Sequence, residues 1–174
     1  AKLVVKNIEG LFELTALGSL VLSQLSSLKF VSQNDQYCLT HNTSNIPIEF
    51  IGRLGELSSG ELGADVMTGF RLAEIMIQGA REYIWIMSDQ ILTNVAPVIV
   101  DRAKGGVEFR FIYPEKLIPP PGVKPAPSAQ RRILPKVEAV ILMTEKEAIF
   151  CLPDREGRMD YAPLIGKGES FHQW

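Results

Sequence analysis

The residues from which most catalytic and metal-binding sites are built are scarce here: two histidines, His41 and His172, and two cysteines, Cys38 and Cys151. Neither pair has metal-ligand spacing, and two thiols make no disulfide framework. Reduced thiols in a cytoplasmic protein are the expectation. Charge of one sign is also missing. Eighteen basic against twenty acidic side chains leave a net charge of −2, whereas a self-sufficient nucleic-acid-binding surface carries a basic excess. No apolar run approaches the ~18 residues of a membrane span, and no signal peptide is visible. What is present is ordinary for one medium domain that buries a real core: 46% hydrophobic and 22% charged residues in a chain of 174.

The same scarcity decides most enzyme readings. Phosphodiester chemistry of the histidine-nucleophile type needs lysine two residues after the histidine, but Thr43 and Trp174 stand there. Gly166-Lys167-Gly168 lacks the first glycine and the hydroxyl of a P-loop, and Ser88-Asp89-Gln90 replaces the glycine-rich turn of a dinucleotide site. No hydrolytic triad can be assembled. The expectation is a non-catalytic protein with no cofactor and no metal.

Residues 81–114 organise the rest. The apolar run Tyr83-Ile84-Trp85-Ile86-Met87 stops at Ser88-Asp89, and a helical segment with Leu92, Val95, Ile99 and Ala103 on one face ends at Lys104-Gly105-Gly106. The run Val107-Glu108-Phe109-Arg110-Phe111-Ile112-Tyr113 follows. Strand, crossover, strand reads as a βαβ unit, hence an α/β fold. Asn94 would cap the crossover helix, leaving Pro97 harmless in its first turn. Before the unit, Val66, Phe70, Ala73, Ile77 and Ala80 step by four and three, one face of an amphipathic helix.

Other segments divide the chain. Residues 1–30 read as a hairpin (Leu3-Val4-Val5 and Leu11-Phe12-Glu13-Leu14) and a helix capped by Thr15. They are either the wing and exit helix of a winged-helix domain or a hairpin and helix packed on the main domain. Residues 31–60 read as a polar linker to residue 46, then a connecting helix from Ile46-Pro47 to Leu57. Residues 61–174 read as the α/β domain. Within it the prolines between Pro114 and Pro127 predict a stiff loop, Arg131 and Arg132 fall in a short basic helical turn, and residues 137–152 predict a hairpin around Glu145-Lys146. Phe171-His172-Gln173-Trp174 opens a helix in mid-pattern, so an excised fragment is expected.

Ligands of open α/β sheets settle beyond the carboxyl ends of the strands, which here carry Ser88, Asp89 and Tyr113. Arg110 either pairs with Glu108 on a solvated edge or, with Arg131 or Arg132, meets a polar or carboxylate group of a ligand. Asp89 either caps the next element or faces the ligand. Trp85 either packs in the core or floors an apolar pocket. These seven residues are the candidate ligand site. A phosphodiester-cleaving enzyme using His172 and a purely structural oligomerisation module are the rival readings.

The order of segments also resembles a known family. Leu11-Phe12-Glu13-Leu14-Thr15-x-x-Gly18 is similar to the wing-to-helix exit of archaeal winged-helix regulators. Thr40-His41-Asn42-Thr43-Ser44-Asn45-Ile46-Pro47, Ala80-Arg81-Glu82-Tyr83-Ile84-Trp85, residues 106–113, Arg132-Ile133-Leu134-Pro135 and Phe171-His172-Gln173-Trp174 resemble the middle domain of archaeal methanogenesis and filamentation regulators. The resemblance runs from about residue 11 to the end. It implies a phospholipase D-like sheet related to the effector domain of TrmB-type sugar-responsive regulators, with the catalytic motif absent and a winged-helix remnant ahead of it. It further implies a ligand-sensing role in transcription regulation and a homodimer. DNA would be a partner through the incomplete winged helix, and the effector a small molecule, with carboxylated acyl-homoserine lactones proposed for some members.

Overall fold

The computed structural model describes residues 2–119 and 129–174. The chain opens with the antiparallel hairpin β1 (Val4–Lys6) and β2 (Phe12–Leu14), in register Val4↔Leu14. Asn7 Oδ1 accepts from the amides of Glu9 and Leu11, and Gly10 takes the positive φ of +84° that its turn requires. Thr15 caps α1 (Ala16–Gln33) as expected, its hydroxyl accepting from Gly18 N at 3.0 Å.

Residues 31–46 are not an extended connector. α1 runs to Gln33, and after Asn34 the chain enters α2 (Asp35–Thr40). Two side chains hidden in this polar stretch explain the difference. The Tyr37 hydroxyl accepts from Leu152 N at 3.1 Å, and His41, 9% exposed, stacks on the Tyr37 ring. The expected connecting helix is two short pieces, α3 (Ile48–Ile51) with Pro47 at its cap and a 3-10 turn at Leu54–Leu57, divided at Gly52-Arg53.

Among the described residues seven strands form the main sheet: β3 (Glu61–Leu62), β4 (Tyr83–Met87), β5 (Glu108–Pro114), β6 (Gln130–Leu134), β7 (Val140–Thr144), β8 (Ala148–Cys151) and β9 (Leu164–Gly166). Their order is β3-β9-β8-β7-β4-β5-β6. β4 and β5 are parallel, with Ile84↔Phe109 and Ile86↔Phe111 in register, and α5 (Ala96–Lys104) is their crossover. The βαβ unit is therefore present, and so is the β7–β8 hairpin. α4 (Val66–Gly79) precedes the unit, capped by Asp65, and α6 (Glu169–Gln173) lies near the end. Among the described residues no helix is long and apolar enough to cross a membrane.

Two local expectations fail. Asn94 does not cap α5: the cap residue is Val95, and Asn94 Nδ2 reaches Glu74 Oε2 instead. Arg131 and Arg132 are not in a helical turn but in β6, paired in parallel with β5. Their short, arginine-bearing segment satisfies the open edge of β5, and charged side chains suit the edge strand it becomes. Most of the expected proline loop, residues 120–128, lies outside the described residues.

Period-2 alternation sends side chains to two cores. On one side Ile84, Phe109, Leu142 and Ile149 pack against Met76 and Ile77 of α4 and Val95, Ile99 and Ala103 near and in α5. On the other, Phe150, Leu164 and Leu152 pack against Phe30 of α1, Leu57 and Phe171 of α6. β8 is buried on both faces, each large aliphatic side chain contributing about 1.5–3 kcal/mol. The second layer stops short of β5 and β6, where Glu108, Arg110, Gln130 and Arg132 are exposed.

Candidate ligand cavity

Between α4, the approach to α5 and the parallel strands lies a cavity of about 210 Å³. Phe70 and Ala73 of α4, Leu92 and Val95 ahead of α5, and Ile86 and Phe111 of the sheet make its walls almost wholly apolar. The helix faces expected from the sequence supply much of these walls, with Phe70, Ala73 and Ile77 from α4 and Leu92, Val95 and Ile99 from the crossover.

Polar groups gather at one end. The backbone of Ser88 extends the β4–β5 ladder by one hydrogen bond, Ser88 N to Ile112 O at 3.1 Å, which places Ser88 beside the end of β5. Ser88, Tyr113 and Arg131 all line the cavity, three of the seven expected residues. Ser88 is 7% exposed and its hydroxyl accepts from Gln90 N, so it faces a turn amide and no base. Asp89 stands at the same end without capping a helix. Its Oδ1 accepts from the Tyr161 hydroxyl at 2.6 Å, and Tyr161 is itself a wall residue. Burial first, then the neighbouring Asp89 carboxylate, pushes the Tyr161 phenol well above its ordinary 10.0.

The other three expected residues lie on the opposite face. Trp85 pairs with Arg110 across β4 and β5, and Arg132 pairs with Ile112, one residue out of phase with the cavity positions Ile86, Phe111 and Arg131. Side chains of adjacent residues in a strand point to opposite sides, so this set cannot join Ser88 and Tyr113. Arg110 instead makes an ion pair with Glu108 at 2.5 Å and lies 4.5 Å from the Trp85 ring centroid, while the indole N–H donates to Glu108. All three charged or aromatic partners are half-buried or exposed, so this cluster contributes about 1 kcal/mol or less per contact.

Both histidines have packed surroundings. His41 Nε2 lies 3.2 Å from Asp160 Oδ2 and its Nδ1 faces Tyr37 O; His172 sits between Gly168 O and Thr144 O, both at 2.9 Å. Among the described residues no cluster of three His, Cys, Asp or Glu is placed to hold a metal ion. What the cavity offers chemically is apolar enclosure with a few polar side chains in its wall, Ser88, Tyr113, Arg131 and Tyr161 among them, the pattern of a small-molecule site. Tyr161 and Phe70 are among the wall residues absent from the expected site. Phe70 was visible on the periodic face of α4, but Tyr161 sits in a segment with no periodicity and carried no signal.

No protein-family model and no curated protein sequence matches the chain. Among solved structures, polyphosphate kinase from Porphyromonas gingivalis aligns at 15% identity over 60% of this chain and 19% of its own, with a TM-score of 0.40, too low to carry weight. TrmBL2, described as an archaeal chromatin protein whose structure shows a novel mode of DNA binding, aligns at 14% identity and a TM-score of 0.53. The alignment covers 88% of this chain, which spans 58% of the length of TrmBL2. At that identity the likeness is one of fold alone: this chain has the mixed α/β architecture found in TrmBL2.

Proposed function

We propose that this chain is a ligand-sensing and dimerising domain of an archaeal transcriptional regulator. A small molecule in the strand-end cavity would bias the geometry of an attached DNA-binding domain, without catalysis. The observation that carries this reading is the apolar cavity over β4 and β5, with Ser88, Tyr113, Arg131 and Tyr161 in its walls. The fold likeness to a DNA-binding archaeal protein supports it, as does the hairpin β1–β2 leading into α1, the layout of a wing and exit helix. The main sheet then takes the part of a phospholipase D-like effector domain whose histidines have structural partners. The mechanism is a population shift: a ligand that prefers one inter-domain arrangement raises its share by its differential affinity.

Dimerisation draws on a separate feature. Leu17, Val21, Gln24, Leu28 and Val31 step by four and three along α1, and all five are exposed, Leu28 to 65%. Such a stripe fits the seam of a two-helix coiled coil with a second copy.

Thermal unfolding in the presence of a chemically broad panel of carboxylates, sugars and apolar-chain compounds tests the sensing role. A compound present at 100 times its Kd stabilises the fold by about 2.7 kcal/mol. Ala73→Leu, which fills the cavity, abolishes that gain, and Arg110→Ala on the opposite face leaves it intact. A panel that never stabilises the protein refutes sensing. A monomer in light scattering refutes the seam.

A further inference from the structure

Loss of periodicity in residues 152–163 conceals a connection. α2 is a helix of six residues with none buried, so little apolar burial holds it down. Besides Tyr37, which packs on the second core, what holds it are polar contacts to one segment. Leu152 N donates to the Tyr37 hydroxyl at 3.1 Å, Asn42 N to Pro153 O at 2.8 Å, and Arg155 N to Thr40 O at 3.2 Å. His41 Nε2 meets Asp160 Oδ2 at 3.2 Å. The next residue along, Tyr161, belongs to the other side of the molecule. Its hydroxyl donates to Asp89 at the cavity end, its ring lies 5.5 Å from that of Phe70, and it lines the cavity wall. Asp160 and Tyr161, adjacent in sequence, thus grip two different elements.

We propose that residues 152–163 are a strap through which the state of the cavity mouth sets the position of α2, and with it the end of α1, from which only Asn34 separates it. The proposal rests on the sensing role of the cavity and names its route of regulation. A guest that displaces the Tyr161 ring or takes the place of its hydroxyl at Asp89 moves Tyr161. Asp160, one peptide away, cannot keep its distance to His41 unless α2 follows. The backbone between the two grips is short and internally tied, with Ala162 N donating to Asp160 Oδ1 at 2.8 Å and Asp160 N to Leu152 O at 3.3 Å, so the displacement is passed on rather than absorbed. The α1–α2 end lies on the side of the sheet opposite the cavity, and the strap spans the two.

Amide hydrogen exchange on the ligand-free chain tests the strap without any effector. Tyr161→Phe keeps the ring and removes the donor. It raises exchange at the amides of His41 and Asn42 roughly fivefold, the effect of losing about one net hydrogen bond. Reciprocity requires Asp160→Asn to raise exchange at the Gln90 amide beside Asp89. Tyr83→Phe, on the opposite sheet face, changes neither. Protected amides in β4 and β7 report that each variant is folded; if Tyr161→Phe is not, Asp89→Asn supplies the gentler perturbation at the same contact. Changes confined to the mutated end in each variant overturn the strap while leaving the sensing role standing. Coupled exchange with no stabilising ligand supports the strap and removes the sensing role.

Discussion

Glycine inside a helix ordinarily costs stability, and at residue 69 that expectation reverses. Replacing an interior helical glycine by alanine gains about 1 kcal/mol. In α4, however, a Cβ on Gly69 would run into the carbonyl oxygen of Tyr161 and lie 3.2 Å from Pro163 Cδ. The first obstacle is backbone, which cannot rotate aside as a side chain does. Overpacking of this kind costs about 1–3 kcal/mol, and pushing Tyr161 outward loosens its bond to Asp89 for about 1 kcal/mol more. The net expectation for Gly69→Ala is a loss of about 1–3 kcal/mol, or about 2–12 °C in Tm for a domain of this size. Gly79 at the other end of the same helix has nothing within 4 Å of its would-be Cβ. Gly79→Ala therefore gains about 0.4–1 kcal/mol through the unfolded state. Urea unfolding followed by the fluorescence of Trp85 and Trp174 measures both variants in one experiment. A Gly69→Ala protein as stable as the parent would refute the close approach of strap and helix on which the cavity wall depends.

Three further outcomes follow from burial and titration. Burial raises the Tyr161 and Tyr37 phenols above their ordinary 10.0 and pushes the Cys151 thiol up to about 12, Asp160 adding to the last. Groups whose folded pKa exceeds the unfolded one stabilise fully below the unfolded value and lose that contribution as pH rises through the folded value. The urea midpoint is thus insensitive to these groups up to about pH 8, begins to fall near pH 9 as Cys151 ionises in the unfolded chain, and falls further above pH 10, less steeply in Tyr161→Phe. Cys38 is half-exposed and Cys151 buried, so an aromatic disulfide reagent labels Cys38 in the native protein and Cys151 only on the timescale of opening; equal rates would refute the placement of β8. Leu164→Ala, at a side chain 1% exposed in the second core, costs about 2–5 kcal/mol by chemical denaturation.

Local pattern carried a good deal. The Thr15 cap, the hairpin at residues 4–14, α4, the βαβ unit and the β7–β8 hairpin were all legible, since each depends on contacts between residues close in sequence or on one uninterrupted period. The short elements were not. α2 is polar by composition and owes its place to Tyr37 and His41 reaching residues more than a hundred positions away. β6 exists because the edge of β5 has unpaired backbone groups, which five residues around Arg131 and Arg132 satisfy. Their own propensity does not require it.

The candidate site divides the same way. That strand ends would carry Ser88, Asp89 and Tyr113 to one edge was a consequence of strand direction, already present in the order of apolar runs and polar stops. Which of the arginines and aromatics joined them was a matter of phase. Arg131 points into the cavity layer while Arg132 and Arg110 point away from it, and a shift of one residue in the pairing of β6 would have exchanged the first two. Sequence determined the elements that a chain can form from its own neighbours. Only the tertiary structure, through register and the contacts of Tyr161 across the chain, decided which side chains share a cavity.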